Sequence, residues 1–228
     1  EGKIYAQYDL PKGWDKTAVR IDRLTKDTSP LGTGFFICNE QKEVYLVTNR
    51  HVVAGRDSAI FTFFVADSGF VRRRFSLKEN LFIHPDTTID LAIYLVIMNG
   101  TLHCIGTDKI LSSEKLVEGE IIYTFSYPLG QHIGNEDSIF PIPKDGAMLK
   151  ISGDNMILTC LSYNGSSGSP VLTSNRYSKD GMSKLIGIVY SHVPNPATEN
   201  EVGLAVAVRA DKLRELLNYA REHRTKPK

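Results

Sequence analysis

A succession of short apolar runs, each about a strand long and each closed by Gly, Pro, Asn or Asp, directs this chain toward an all-β architecture. The runs, rich in Val, Ile, Phe and Tyr, are Ala18–Leu24, Gly34–Cys38, Val44–Thr48, Ala59–Val65, Phe70–Leu77, Leu91–Ile97, Glu120–Ser126, Ala147–Ser152, Met156–Cys160, Pro170–Thr173, Leu185–Tyr190 and Gly203–Val208. Two segments depart from this pattern. Asn49–Ala54 reads as a short helical turn after its strand. In Ala210–Glu222, Leu213, Leu216 and Leu217 recur at helical spacing, with Asp211 and Glu215 toward the start, which predicts one C-terminal amphipathic helix.

The 228 residues fit a single β domain, for which about 200–250 residues is ordinary, and 42% hydrophobic content can fill its core. No stretch approaches the ~18 uncharged apolar residues of a membrane-spanning helix, so membrane insertion is not expected. With 27 basic and 26 acidic residues, the net charge of +1 gives no general reason to expect a nucleic-acid partner. Arg72-Arg-Arg74 is a basic run inside a predicted strand, where side chains alternate between faces, and it reads as a solvated strand. No repeat or flexible linker is evident. The apolar runs are interrupted at Gly106-Thr-Asp-Lys109 and Ser112-Ser-Glu-Lys115, which places a seam between two halves near residues 106–119.

Chemistry concentrates in three places. Asn164-Gly-Ser-Ser-Gly-Ser-Pro-Val171 puts a serine on a glycine-rich turn between apolar segments, His51 sits in Tyr45-Leu-Val-Thr-Asn-Arg-His-Val-Val53, and Asp90 opens Asp-Leu-Ala-Ile-Tyr94. The chain order is therefore His, Asp, Ser. That order differs from the Ser, acid, His of the α/β-hydrolases and the Asp, His, Ser of subtilisin-like enzymes, and it is the order of the chymotrypsin-type double barrel.

The segments Gly32-Thr-Gly-Phe-Phe-Ile37, Thr48-Asn-Arg-His-Val-Val53, Asp90-Leu-Ala-Ile93 and Gly165-Ser-Ser-Gly-Ser-Pro170 resemble the trypsin-like peptidases, nearest to the bacterial HtrA and glutamyl-endopeptidase branches. The resemblance implies two six-stranded antiparallel β-barrels packed around an active-site cleft, followed by a C-terminal α-helix. The barrels would span about residues 15–110 and 118–208, with the helix at about 209–222. His51 and Asp90 would come from the first half and Ser167 from the second. The implied activity is that of a serine endopeptidase acting on peptides or proteins through an acyl-enzyme, with no cofactor. A catalytically silent peptide-binding module and a small-substrate esterase are the competing readings.

The residue types suit this chemistry. A serine hydroxyl is a poor nucleophile until a base takes its proton, and a neutral imidazole does this near pH 7. His51 is the expected base. Asp90 would fix its tautomer and stabilise the imidazolium, while Asp86 in His84-Pro-Asp86 reads as a turn residue. By resemblance, the backbone amides of Gly165 and Ser167 form the oxyanion hole. Ser167, with Gly165 two residues before it and Gly168 after it, fits the family's G-x-S-G-x-P pattern, whereas Ser166 does not.

By resemblance, the substrate pocket is lined by Leu161, Ser162 and Tyr163 before the nucleophile and by Val189, Tyr190, Ser191 and His192 after it. Leu161 stands where Arg/Lys-selective members carry aspartate, which disfavours a basic side chain before the scissile bond. A small or medium apolar side chain is expected, with an acidic one as the alternative. The residue before the nucleophile, Ser166, offers no carboxylate to a freed N-terminus, and Glu1-Gly-Lys-Ile4 is not the mature start of the animal enzymes, so activation should not depend on that ion pair.

Cys38, Cys104 and Cys160 are an odd count, which argues against a complete disulfide framework and favours buried free thiols. His84, His103 and His132 lack paired ligand spacing, so zinc is not expected. A glycan at the Asn164-Gly-Ser166 sequon would crowd the cleft, which argues against a eukaryotic secretory route. The sequence reading favours the cytoplasm, with a secreted or periplasmic protein that has lost its signal segment as the alternative.

Overall fold

A computed structural model describes residues 13–24, 30–135, 138–174, 183–194 and 201–224; the Glu1–Ile4 start lies outside them. The first half contains β1 (Ala18–Asp22), β2 (Pro30–Cys38), β3 (Val44–Thr48), a one-turn helix α1 (Arg50–Val53), β4 (Ser58–Val65), β5 (Gly69–Ser76), β6 (Leu81–Ile83), β7 (Ala92–Val96) and β8 (Ile105–Gly106). The second contains β9 (Ile121–Ser126), β10 (Ile142–Ser152), β11 (Asn155–Leu158), β12 (Pro170–Thr173), β13 (Leu185–Pro194) and β14 (Glu201–Arg209), followed by α2 (Asp211–His223).

Strands β9 to β14 close into a six-stranded barrel in the order β10-β11-β14-β13-β12-β9, every pair antiparallel. The first half is a curled sheet in the order β5-β4-β1-β2-β3-β7-β6, with the two-residue β8 lying parallel to β2. It has eight strands rather than six, and among the described residues no pairing joins β5 to β6. The sequence pattern misses β6 and β8, which are too short to show an alternation. It also starts β10 late, because Pro143-Lys-Asp-Gly146 carries no strand signal. Those residues are held extended by register with β9, from Ile142 opposite Ser126 to Ala147 opposite Ile121.

The apolar periodicity becomes three clusters. One fills the first sheet, where Phe36, Phe61, Phe63, Phe75 and Tyr94 meet ring against ring. Another, with Ile122, Met148, Met156 and Ala207, fills the barrel. The third lies between the halves and joins Phe35, Val47, Leu91 and Ile93 to Phe125, Tyr127, Leu172, Ile188 and the buried face of α2, Leu213, Leu216 and Ala220. The amphipathic C-terminal segment therefore packs back onto the first half, and Arg214 Nη2 donates to the Ile110 carbonyl at 2.7 Å. Arg72, Arg73 and Arg74 are exposed on edge strand β5, where charge discourages pairing with another chain. Among the described residues, no helix is long and apolar enough to cross a membrane.

The cysteines correct one expectation. Cys38 at the end of β2 and Cys104 just before β8 form a disulfide, and Cys160 alone is a free buried thiol. Sequence separation hides the pairing, which exists because β8 runs alongside the last residues of β2. Burial pushes the Cys160 thiol up to about 11, with Lys144 partly opposing it. Thiol titration is expected to find no reactive cysteine in the native protein, one on unfolding, and three only after reduction. The bridge closes a 66-residue separation, so Cys104→Ser is expected to lower the unfolding free energy by about 2–4 kcal/mol in urea titrations.

Candidate active site

Pairing of β3 with β7, which sets Thr48 opposite Ala92, brings together two side chains far apart in sequence. Asn49 leaves β3 in extended conformation and α1 turns His51 toward the residue just before β7, Asp90. His51 Nδ1 and Asp90 Oδ2 are 2.5 Å apart, and the His51 backbone N–H donates to Asp90 Oδ1 at 3.0 Å. Asn49 Nδ2 donates to the Asp90 carbonyl at 2.8 Å, fixing the main chain behind the carboxylate. Burial opposes ionisation of Asp90, but the two hydrogen bonds and the charge of His51 outweigh it and hold the carboxyl below its ordinary value. An ionised Asp90 accepts the Nδ1 proton and leaves Nε2 as the basic nitrogen. Asp86 instead closes a local turn, accepting from the Thr88 amide and hydroxyl at 2.8 and 2.7 Å.

The serine turn lies between Tyr163 and Ser169. Ser166 N–H donates to the Tyr163 carbonyl, Gly168 N–H to Val189 and Ser169 N–H to Ser166. Among the described residues, the N–H groups of Gly165 and Ser167 donate to nothing. Two unpaired donors thus alternate with paired ones on one turn, and unpaired backbone amides are the groups that can receive a developing negative charge. Gly165 and Gly168 have φ of 93° and 90°, which favours glycine at both. A side chain at Gly168 would also collide with the Thr33 carbonyl and the Thr48 hydroxyl.

Thr33, fully buried in β2, fastens the serine turn to the first half. Its N–H donates to the Ser167 carbonyl at 2.7 Å, its hydroxyl donates to the Gly165 carbonyl at 2.7 Å, and its carbonyl accepts from Thr48 Oγ1 at 2.8 Å. Neighbouring Gly32 leaves room for both Val52 of α1 and the Ser167 carbonyl, each within 3 Å of where a Cβ would sit. The helix bearing His51 and the turn bearing Ser167 thus converge on one glycine.

Ser167 Oγ donates to the Tyr190 carbonyl at 3.4 Å, a long contact. Among the described residues, no hydrogen bond joins it to His51. Burial, then the Asp90 charge, raises the pKa of the Tyr190 phenol. Ser166 is only 3% exposed, and its hydroxyl accepts from the Tyr163 amide, so it faces inward.

The predicted pocket residues divide. Leu161 and Tyr163 are exposed, and Leu161 faces Gly203 of β14, where a Cβ would lie 3.5 Å from its methyl. Lys144 donates to the Leu161 carbonyl and sits over the Tyr163 ring. Ser162 is buried, and Ser191 and His192 are half-buried on β13. The Val189 side chain belongs to the barrel core; its backbone serves the turn, exchanging hydrogen bonds with Gly168 and Ser169. Sequence reasoning missed Thr33, Thr48, Asn49 and Leu129, whose N–H donates to the Asn164 carbonyl at the start of the serine turn. The signal for the first three was a polar side chain inside or beside an apolar strand.

A family model for the trypsin-like peptidase domain matches residues 32–177. The chain belongs to the trypsin-like peptidase family. Comparison with curated proteins finds no match. Among solved structures, this trypsin-like chain is similar to the MamO protease domain from Magnetospirillum magneticum, at 14% identity and a TM-score of 0.63, covering 90% of this chain and 97% of that one. It is similar to a serine endoprotease from Yersinia pestis, at 17% identity and a TM-score of 0.63, over 92% and 64% of the two chains. It also resembles Rv3671c from M. tuberculosis, an inactive serine-to-alanine form, at 16% identity and a TM-score of 0.57, over 94% and 91%. At these identities the likeness establishes the fold, the chymotrypsin type that the resemblance of the sequence motifs implied.

Carboxyl-carbon NMR titration is expected to place Asp90 below the ordinary aspartate value of about 3.9. The stability contributed by the pair should be complete above that ordinary value and lost as pH falls through the lowered one. His51→Ala, which keeps the backbone hydrogen bond but removes the imidazole, should move Asp90 upward.

Proposed function

We propose that this trypsin-like peptidase is a serine endopeptidase that cleaves peptide bonds through an acyl-enzyme. Ser167 attacks the scissile carbonyl, His51 takes its proton through Nε2 and returns it to the leaving amine, and Asp90 holds the imidazole. The oxyanion forms against the amides of Gly165 and Ser167. The observation that carries the reading is the turn from Gly165 to Ser169, in which these two N–H groups have no partner among the described residues and the others are bonded. Each such donor contributes about 3–4 kcal/mol to transition-state stabilisation. The reaction needs one change from the resting arrangement, rotation of the Ser167 hydroxyl away from Tyr190 toward His51. A contact of 3.4 Å offers little resistance, and catalytic hydrogen bonds commonly tighten only with substrate bound.

Substrate would lie in extended form along Tyr190, Ser191 and His192. The exposed apolar surface of Leu161 and Tyr163 supports an uncharged side chain before the scissile bond. The Cys38–Cys104 bridge supports residence in an oxidising compartment, against the cytoplasmic reading of the sequence, since such bonds persist there and are rare in a reducing cytosol.

One observation favours a second reading. The missing hydrogen bond between Ser167 and His51 suits a catalytically silent module that holds an extended peptide by strand addition. A fluorophosphonate probe separates the two. The peptidase reading expects a covalent adduct on Ser167, absent in Ser167→Ala and slowed in His51→Ala, with casein cleavage reduced by about 10⁴-fold or more in either variant. A native protein that stays unlabelled, yet binds a peptide stoichiometrically and leaves it intact, would establish the silent module instead.

A further inference from the structure

The Gly165 N–H lies in the peptide plane it shares with the Asn164 carbonyl, and the next plane, which carries the Gly165 carbonyl, limits how the first can turn. Every described peptide is trans, and a trans plane points its C=O and N–H in opposite directions. The Asn164 carbonyl accepts from Leu129 N–H at 2.6 Å, so the Gly165 N–H in the same plane points away from Leu129. The following plane is fixed by Thr33, whose hydroxyl donates to the Gly165 carbonyl at 2.7 Å.

These two anchors are themselves joined. A threonine hydroxyl has one proton and two lone pairs. The Thr33 proton goes to Gly165, while one lone pair accepts the Tyr127 N–H at 3.0 Å. Tyr127 precedes the turn Pro128–Gly130 in which Leu129 adopts a φ of 53°, unusual for a residue other than glycine. Arg20 ties the end of that turn to β1 by donating to the Gly130 carbonyl at 3.0 Å. The circuit runs from Thr33 to Tyr127, through the turn to Leu129, across to Asn164, and back through Gly165 to Thr33. Its members are buried or backbone groups, and none of them titrates near neutral pH.

We infer that Thr33 is a positioning residue: its hydroxyl holds the Tyr127–Gly130 turn and the Gly165 peptide in one register, and so aims the Gly165 amide at the reacting carbonyl. The assignment rests on the peptidase reading. It supplies, through neutral hydrogen bonds, the ordering that a carboxylate before the nucleophile would provide, and Ser166 provides no such charge.

The experiment compares Thr33→Val, which keeps the shape and removes the hydroxyl, with Thr33→Ser, which keeps the hydroxyl. Turnover of a fluorogenic peptide, normalised to folded protein by circular dichroism, should show kcat reduced by about 10- to 100-fold in Thr33→Val with KM changed less than about 2-fold. A peptide boronate that mimics the tetrahedral state should weaken by a similar factor. Thr33→Ser should restore most of both. If Thr33→Val fails to fold, Thr33→Ala carries the same comparison. A readout independent of turnover is the amide resonance of Gly165, which should shift and broaden in Thr33→Val and return in Thr33→Ser. Wild-type kcat in folded Thr33→Val, or an unmoved Gly165 resonance, would overturn the assignment. An inert wild-type protein whose Gly165 resonance still responds to Thr33 would overturn the peptidase reading and leave the positioning role standing.

Discussion

The molecule depends on one seam, where the serine turn of the barrel is bonded to β2 of the first sheet through Thr33. The contact is made without charge: an amide, a hydroxyl and a carbonyl of one buried residue meet the carbonyls of Ser167 and Gly165, the amide of Tyr127 and the hydroxyl of Thr48. In a dry interior each of these bonds is strong, and each partner left unpaired is expensive. The apolar cluster between the halves presses the two sheets together, but apolar contact is not directional and cannot set the register of a turn. The polar contacts at Thr33 supply that register.

The proposed chemistry follows from what each half fixes alone and what only the seam can fix. The first sheet holds His51 against Asp90 by the pairing of β3 with β7. The barrel shapes the serine turn through Val189 and two glycines with positive φ. At the seam α1 and the Ser167 carbonyl approach each other over Gly32. The Ser167 hydroxyl rests against the Tyr190 carbonyl, and the proposed chemistry requires it to turn toward the imidazole.

Much of this was legible in the sequence because strand periodicity and glycine-rich turns are local signals. Val44–Thr48 and Pro170–Thr173 fall within their predicted bounds, and the leucine spacing of the last segment gives a helix that packs where its apolar face requires. His51 and Asp90 were legible for a different reason: their residue types and order carry the resemblance. Other features were not legible because their causes lie far along the chain. Cys38 meets Cys104 only because β8 runs beside β2, the first residues of β10 are extended only because β9 is there to pair with them, and Val189 turns inward because the barrel closes around it. Thr33 is a small polar residue between two glycines in the sequence, and its partners are 94 and 132 residues away.

The most direct test of the central claim is a crystal structure of the protein soaked with a peptide boronate. The expected result is a covalent bond from boron to Ser167 Oγ, one boronate oxygen about 3 Å from the amides of both Gly165 and Ser167, and His51 Nε2 hydrogen-bonded to the adduct. A boronate that occupies the cleft with no bond to Ser167, and with those two amides facing elsewhere, would contradict it.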